Sequence, residues 1–119
     1  MTGSLSVLII EDEPLIAMML EDYIDGLGHR VAGAAESVEE ALARVEAGGF
    51  DVAILDVHLR GGVPSWPVAD ALADRGLKFL VATGGIEPPP ERHAKAPILS
   101  KPFTIESVKM ALEVTADPA

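Results

Sequence analysis

The 119-residue chain is 49% hydrophobic, enough to bury the core of one domain, so disorder is excluded as a description of the whole chain. Its 19 acidic and 9 basic residues give a formal net charge of -10, which argues against nucleic acid or an anionic membrane as a direct partner, because both would be repelled. Cysteine is absent, which removes disulfides and thiolate sites, and no run reaches the roughly 20 apolar residues of a membrane helix, so the sequence reads as one soluble, cytosolic domain over residues 1–119.

Residues 5–10 (LSVLII) form a continuous apolar run, as in a strand covered on both faces. Glu11-Asp12-Glu13 end it, and Pro14 suits the first turn of a helix. Ile16, Met19, Leu20, Tyr23, Ile24 and Leu27 then fall on one helical face, which Gly28 closes. Residues 30–34 (RVAGA) give a short second strand. Ser37 and Glu40 have capping-box spacing, and Val38, Ala41, Leu42 and Val45 line the helix that follows, up to Gly48-Gly49. Residues 52–56 (VAILD) are the third strand, and residues 60–64 (RGGVP) read as a loop. A helix through Val68, Ala69 and Leu72 runs to Gly76. Residues 78–82 (KFLVA) form the fourth strand, broken by Thr83-Gly84-Gly85. Pro88-Pro89-Pro90 bar a regular helix in the next connection. Residues 97–99 are a very short fifth strand, and Thr104 can cap a last helix carrying Ile105, Val108 and Leu112.

Alternating strands and helices predict an α/β fold: a doubly wound, five-stranded parallel sheet of (βα)5 type, with a short or irregular fourth helix. In such sheets ligands bind beyond the carboxyl ends of the strands. Four of these ends carry Glu11-Asp12-Glu13, Asp56, Thr83 and Ser100-Lys101-Pro102. Singly, each has an ordinary explanation as a solvated turn, a helix cap or a surface lysine. Together they do not. Holding Asp12 and Asp56 about 4 Å apart costs on the order of 4 kcal/mol at an effective dielectric near 20, so the cluster needs a cation or a proton. One lysine cannot neutralise three carboxylates, and an oxygen-only site suits Mg2+.

These residues resemble, over nearly the whole chain, a receiver domain of bacterial two-component response regulators, with a flavodoxin-like fold. The resemblance rests on Glu11-Asp12 after the first strand, Asp56 ending the third, Thr83 ending the fourth and Lys101-Pro102 after the fifth. It implies that Asp56 is the phosphoacceptor, taking a phosphoryl group from a sensor histidine kinase or a histidine phosphotransfer protein. It implies Asp12 as a direct Mg2+ ligand, Glu11 as one acting through water, and the carbonyl of His58 as another. Thr83 and the Gly84 amide would bind phosphoryl oxygens, and Lys101 would pair with Asp56 and then with the phosphoryl group. On this reading the chain is a regulator and not an enzyme, its downstream target is a protein, and the output is contact, relay or competition for a shared kinase, since no output domain is read.

Some positions depart from the common receiver pattern. Ile98 stands where an aromatic switch residue is usual, Arg60 where a proline is usual, and the stretch between Thr83 and Lys101 is short and proline-rich. The run Phe79-Leu80-Val81-Ala82-Thr83-Gly84-Gly85, with Trp66-Pro67-Val68-Ala69-Asp70, is similar to the FATGUY receivers of alphaproteobacteria, although Val81 and Ile86 replace a Phe and a Tyr of that group. For His58 the backbone is read as the functional part, against an imidazole that tunes hydrolysis. His29 and His93 read as surface residues in turns, and Met18 and Met19 as helix packing. Trp66 reads equally as groove filler or exposed contact. Two other functions compete: a pseudo-receiver that binds partners without phosphorylation, and a phosphatase of the haloacid dehalogenase type. The second wants an Asp two residues after the nucleophile, where this chain has His58, and there is no GxxxxGK[ST] loop.

Overall fold

A computed structural model describes residues 4–85 and 88–116; Ile86 lies outside the described residues. The elements in chain order are β1 (Ser6–Ile10), α1 (Pro14–Gly26), β2 (Arg30–Ala35), α2 (Val38–Ala47), β3 (Val52–Asp56), β4 (His58–Leu59), β5 (Val63–Pro64), α3 (Trp66–Asp74), β6 (Lys78–Thr83), β7 (Ile98–Ser100) and α4 (Ile105–Ala116). Five strands form one parallel sheet in the order β2-β1-β3-β6-β7, and β4 and β5 form a separate antiparallel ribbon.

The apolar runs explain the layering. Every residue of β1 and of β3 is buried, because alternate side chains feed two cores. Val7, Ile9, Val52 and Ile54 pack with Leu20 and Ile24 of α1 and with Val108 and Leu112 of α4. Leu8, Ile10, Ala53 and Leu55 pack with Ala41 and Val45 of α2 and with Val68 and Leu72 of α3. The chain thus winds both ways from the β1/β3 pair, and the crevice at that switch point lies beyond Ile10 and Asp56.

The caps hold largely as expected. Pro14 opens α1, and Gly28 takes a φ of 86° after it. The Ser37 hydroxyl accepts from the Glu40 amide at 3.2 Å, but the Glu40 carboxylate reaches the Glu36 amide at 2.6 Å, one residue before the cap. Thr104 Oγ1 accepts from the Ser107 amide at 3.1 Å, while Ser107 Oγ accepts from the Thr104 amide at 2.8 Å.

Several expectations need correction. Residues 60–64 are not a plain loop: a tight turn, Arg60–Gly62, with Gly61 at φ 81°, folds β5 back on β4. The fifth strand is Ile98–Ser100, one residue later than read, whereas Thr83 ends β6 as expected. Met18 is 58% exposed and does not pack, whereas Met19 does. His29 is not a free surface group, since its Nδ1 accepts from the Leu5 amide at 3.0 Å and anchors the start of β1.

The largest correction is His93. Among the described residues between β6 and β7 the only helical turn is the short 3-10 segment Glu91–His93, and His93 is buried rather than superficial. Its ring stacks on Trp66 at 6.0 Å, meets Phe79 edge-on at 5.6 Å, and lies 2.7 Å from Asp70 Oδ1. Arg92 pairs with Asp70 and Asp74 beside it. One imidazole thus ties this connection to both α3 and β6. His93→Ala is expected to destabilise the fold by about 2 to 3 kcal/mol, through the cavity and the lost aromatic contacts. Urea unfolding followed by the fluorescence of Trp66 checks this; a loss under about 0.5 kcal/mol, the size of an ordinary surface change, would contradict it.

Candidate functional site

The sheet's carboxyl edge gathers the residues singled out in the sequence. Glu11 and Asp12 leave β1, Asp56 ends β3, Thr83 ends β6 and Lys101 follows β7. They line or adjoin a cleft of about 380 Å³ bordered by Asp12, Glu13, Asp56, Val57, His58, Leu59, Gly62, Thr83, Gly84, Gly85 and Lys101. Carboxylate oxygens of Glu11, Asp12 and Asp56 lie within 4.8 Å of one another.

Glu11 is 2% exposed, and its carboxylate is tied on two sides. Oε2 accepts from the Glu13 amide at 3.2 Å, and Oε1 accepts from Lys101 Nζ at 3.2 Å. Lys101 also donates to Asp56 Oδ1 at 3.1 Å, so a single ammonium bridges β1 and β3 across the sheet edge. Burial, then the neighbouring Asp56 charge, pushes the Glu11 carboxyl up to about 7, against the opposing pull of the Glu13 amide and Lys101. Burial opposes the charge on Lys101, but Asp56 and Glu11 outweigh it and hold the ammonium above its ordinary value.

The fit to a divalent cation follows from the donor set. All three clustered groups are carboxylates, hard oxygen ligands, and their charge exceeds what one lysine offsets. The ribbon adds a further oxygen. The Ser65 amide donates to the Val57 carbonyl at 2.8 Å, a single bond that flanks the 58/64 pair of the ribbon. His58, opposite Pro64, then falls on the non-hydrogen-bonded register. Its carbonyl is not spent within the ribbon, and Pro64, with no N–H to lose, is tolerated there. The His58 side chain is exposed.

Thr83 Oγ1 accepts from the Gly85 amide at 3.0 Å, which leaves its own proton available. The Thr83 carbonyl accepts from the Lys101 amide at 2.9 Å, so these two residues are fixed to each other. Gly84 lies beside them, where an added Cβ would come 3.5 Å from that of Lys101. Glu13 is exposed, with no side-chain cap to α1, and serves the site through its backbone amide. Sequence reasoning passed over Ser65, whose hydroxyl reads as a helix cap, and it missed the depth at which Glu11 is buried.

The raised Glu11 predicts a pH dependence. A carboxyl that titrates near 7 when folded and at its ordinary 4.5 when unfolded favours folding below 4.5, and that contribution is lost as pH rises from 4.5 through 7. The melting temperature of metal-free protein should therefore fall over this window, and Glu11→Gln should flatten the fall. Mg2+ should recover more stability at pH 7.5 than at pH 5.5. Parallel profiles for wild type and Glu11→Gln in chelator would refute the assignment.

Sheet order, switch-point crevice and pocket composition define the α/β class of signalling receiver. Comparison with known proteins agrees. A model described as the response regulator receiver domain matches residues 7–63. The solution structure of SdrG from Sphingomonas melonis Fr1 is 50% identical, covering 98% of this chain and 100% of that one, with a TM-score of 0.86. The BeF3-activated conformation of SdrG from Pseudomonas melonis Fr1 matches with the same identity and coverage and a TM-score of 0.82. The phyllosphere-induced regulator PhyR of Methylorubrum extorquens is 35% identical over 113 residues, 89% of this chain and 41% of PhyR, so the chain spans about two fifths of that curated relative. This chain belongs to the response regulator receiver domain family.

Proposed function

We propose that the chain, read as one receiver over residues 1–119, accepts a phosphoryl group on Asp56 from a phosphohistidine of a sensor histidine kinase or phosphotransfer protein, with Mg2+ bound. The observation that carries this is the Asp56 carboxylate, bridged to Glu11 by Lys101 at 3.1 and 3.2 Å and clustered with Asp12 at the mouth of the cleft. An Asp56 carboxylate oxygen attacks phosphorus in line; the Oδ–P bond forms, the P–N bond breaks, and its electron pair leaves with the donor imidazole. Asp12, Asp56 and the His58 carbonyl would hold the ion, with Glu11 acting through water. Bound Mg2+ would supply charge neutralisation at the phosphoryl oxygens. Thr83 donates its free proton to one of these oxygens, the Gly84 amide serves another, and Lys101 turns from the Asp56 carboxylate to the transferred group.

The activated conformation of SdrG, a relative that aligns end to end, supports this reading, as beryllofluoride mimics an acyl phosphate. The segment from Phe79 to Gly85 supports placing the chain in the FATGUY group. A second reading, a partner-binding pseudo-receiver, draws on Ile98, 46% exposed on β7 and without the usual aromatic ring. Equal partner binding by wild type and Asp56→Ala would favour it.

The division of labour among the first carboxylates is testable. Asp12→Ala should weaken Mg2+ binding by about 10- to 100-fold, and phosphorylation with it, as loss of a direct ligand does. Glu13→Ala keeps the backbone amide and should change either by less than about twofold. Calorimetric Mg2+ titration checks both; comparable losses would contradict the division.

A further inference from the structure

Ser65 is fully buried at the N-cap of α3, but its side chain makes no cap bond. The helix begins Trp66-Pro67, so Pro67 has no N–H to offer, and the Val68 amide is taken by the Ser65 carbonyl at 2.9 Å. The hydroxyl points backwards instead and donates to the Asp56 carbonyl at 2.5 Å. The Ser65 amide donates to the next carbonyl, that of Val57, at 2.8 Å.

That first carbonyl is in need of a donor. The β1/β3 register ends at the Ile10/Leu55 pair, and the Glu11 amide is spent on the Ala35 carbonyl at 2.9 Å. Asp56 itself is 8% exposed, so a carbonyl left without a donor there would carry a desolvation cost. On its other side the Val57 amide reaches the Ala82 carbonyl at 3.3 Å, which continues the β6 ladder by one rung. Residues 56 and 57 are thereby held from both flanks, one of which is Ser65 alone.

We propose that Ser65 is a positioning residue for the phosphoacceptor pocket: its hydroxyl fixes the backbone from which the Asp56 carboxylate projects, and its amide fixes the ribbon register that leaves the His58 carbonyl free. It does not touch the reacting atoms. Two bonds from one residue set the aim of the nucleophile and of a metal-facing oxygen together. This rests on the function proposed above. A serine spent in this way also explains how a fully buried hydroxyl can sit at a helix start without capping the helix.

The test uses the full chain with Ser65→Ala, Ser65→Thr and Ser65→Cys. In metal-free protein, amide hydrogen exchange at residues 57–59 should quicken about 10-fold in Ser65→Ala, with Ala53 and Leu55 unchanged. Mg2+ affinity should fall several-fold, and the rate of phosphorylation by acetyl phosphate about 10-fold or more, as for a misaimed nucleophile. Ser65→Thr, which keeps the donor, should restore most of each. Wild-type exchange, Mg2+ affinity and rate in a folded Ser65→Ala would overturn the proposal. Should Ser65→Ala not fold, the thiol of Ser65→Cys, a weak donor, should bind Mg2+ less tightly than Ser65→Thr, and equality of the two overturns it. A wild type that binds Mg2+ but takes up no phosphoryl group contradicts the proposed function, while exchange and Mg2+ affinity still decide the role of Ser65.

Discussion

Asp56→Asn is expected to end phosphoryl uptake and, in chelator at pH 7.5, to raise the stability of the protein. The two effects have one cause. Asp56 stands with two other carboxylates and one ammonium at the sheet edge, its charge is one cause of the raised Glu11 carboxyl, and its own burial costs solvation. Replacing the carboxylate by an amide of the same shape removes both penalties, for a gain of about 1 to 2 kcal/mol. The amide is no nucleophile and a poor cation ligand, so Mg2+ should stabilise this variant far less than wild type. Urea denaturation with and without Mg2+ measures the gain. A variant less stable than wild type in chelator would show that the carboxylate cluster is not strained in the way described. Folding holds the three carboxylates together before any ligand arrives, and a bound cation would relieve their mutual repulsion.

Lys101→Ala should slow phosphorylation by about 100-fold or more, the usual scale for removing a charge aimed at a developing anion. It should also destabilise the protein, because Glu11, buried to 2% exposure, loses the cation that bridges it to Asp56. The loss should be about 1 to 3 kcal/mol near pH 7.5 and smaller at pH 5.5, where Glu11 already carries its proton. Lys101→Arg should rescue stability better than rate, since a planar fork keeps the charge but not the point-like reach of an ammonium. Stopped-flow phosphorylation and thermal melts at the two pH values separate these effects. A rate within threefold of wild type in Lys101→Ala would remove Lys101 from the chemistry.

Much of this architecture was legible because apolar runs and acidic stops are local signals. Residues 52–56 form the third strand as read, since a fully buried parallel strand writes its whole length in apolar residues and its end in Asp56. That the described residues before β7 form no regular helix was visible as Pro88-Pro89-Pro90. What replaced it was not. His93 is buried by Trp66 and Phe79, residues of α3 and β6, and nothing in its polar neighbours Arg92 and Lys95 announces such a partnership. The ribbon at β4 and β5 escaped for a similar reason. Two-residue strands carry no period, and Gly61-Gly62 reads the same in a loop as in a hairpin turn. Ser65 was hidden by a good local explanation, because serine before a helix is the commonest of caps. Only the position of the Asp56 carbonyl reveals where the hydroxyl goes.

The same distinction applies to the first acidic stretch. Composition places Glu11, Asp12 and Glu13 together but does not rank them. The fold buries Glu11 under Lys101, leaves Asp12 half-exposed at the cleft, and turns Glu13 to solvent. Three neighbouring carboxylates therefore have three different environments, and their substitutions should have three different consequences for Mg2+, pH and stability.

Uptake of a phosphoryl group by Asp56 is tested by intact-mass spectrometry of the wild-type chain after incubation with Mg2+ and either acetyl phosphate or a phosphorylated histidine phosphotransfer protein. Borohydride trapping and peptide mapping would then locate the acyl phosphate. The expected result is one added phosphoryl group per chain, located on Asp56 and absent without Mg2+ or in Asp56→Ala. An adduct on another residue, or none from either donor, would contradict the account.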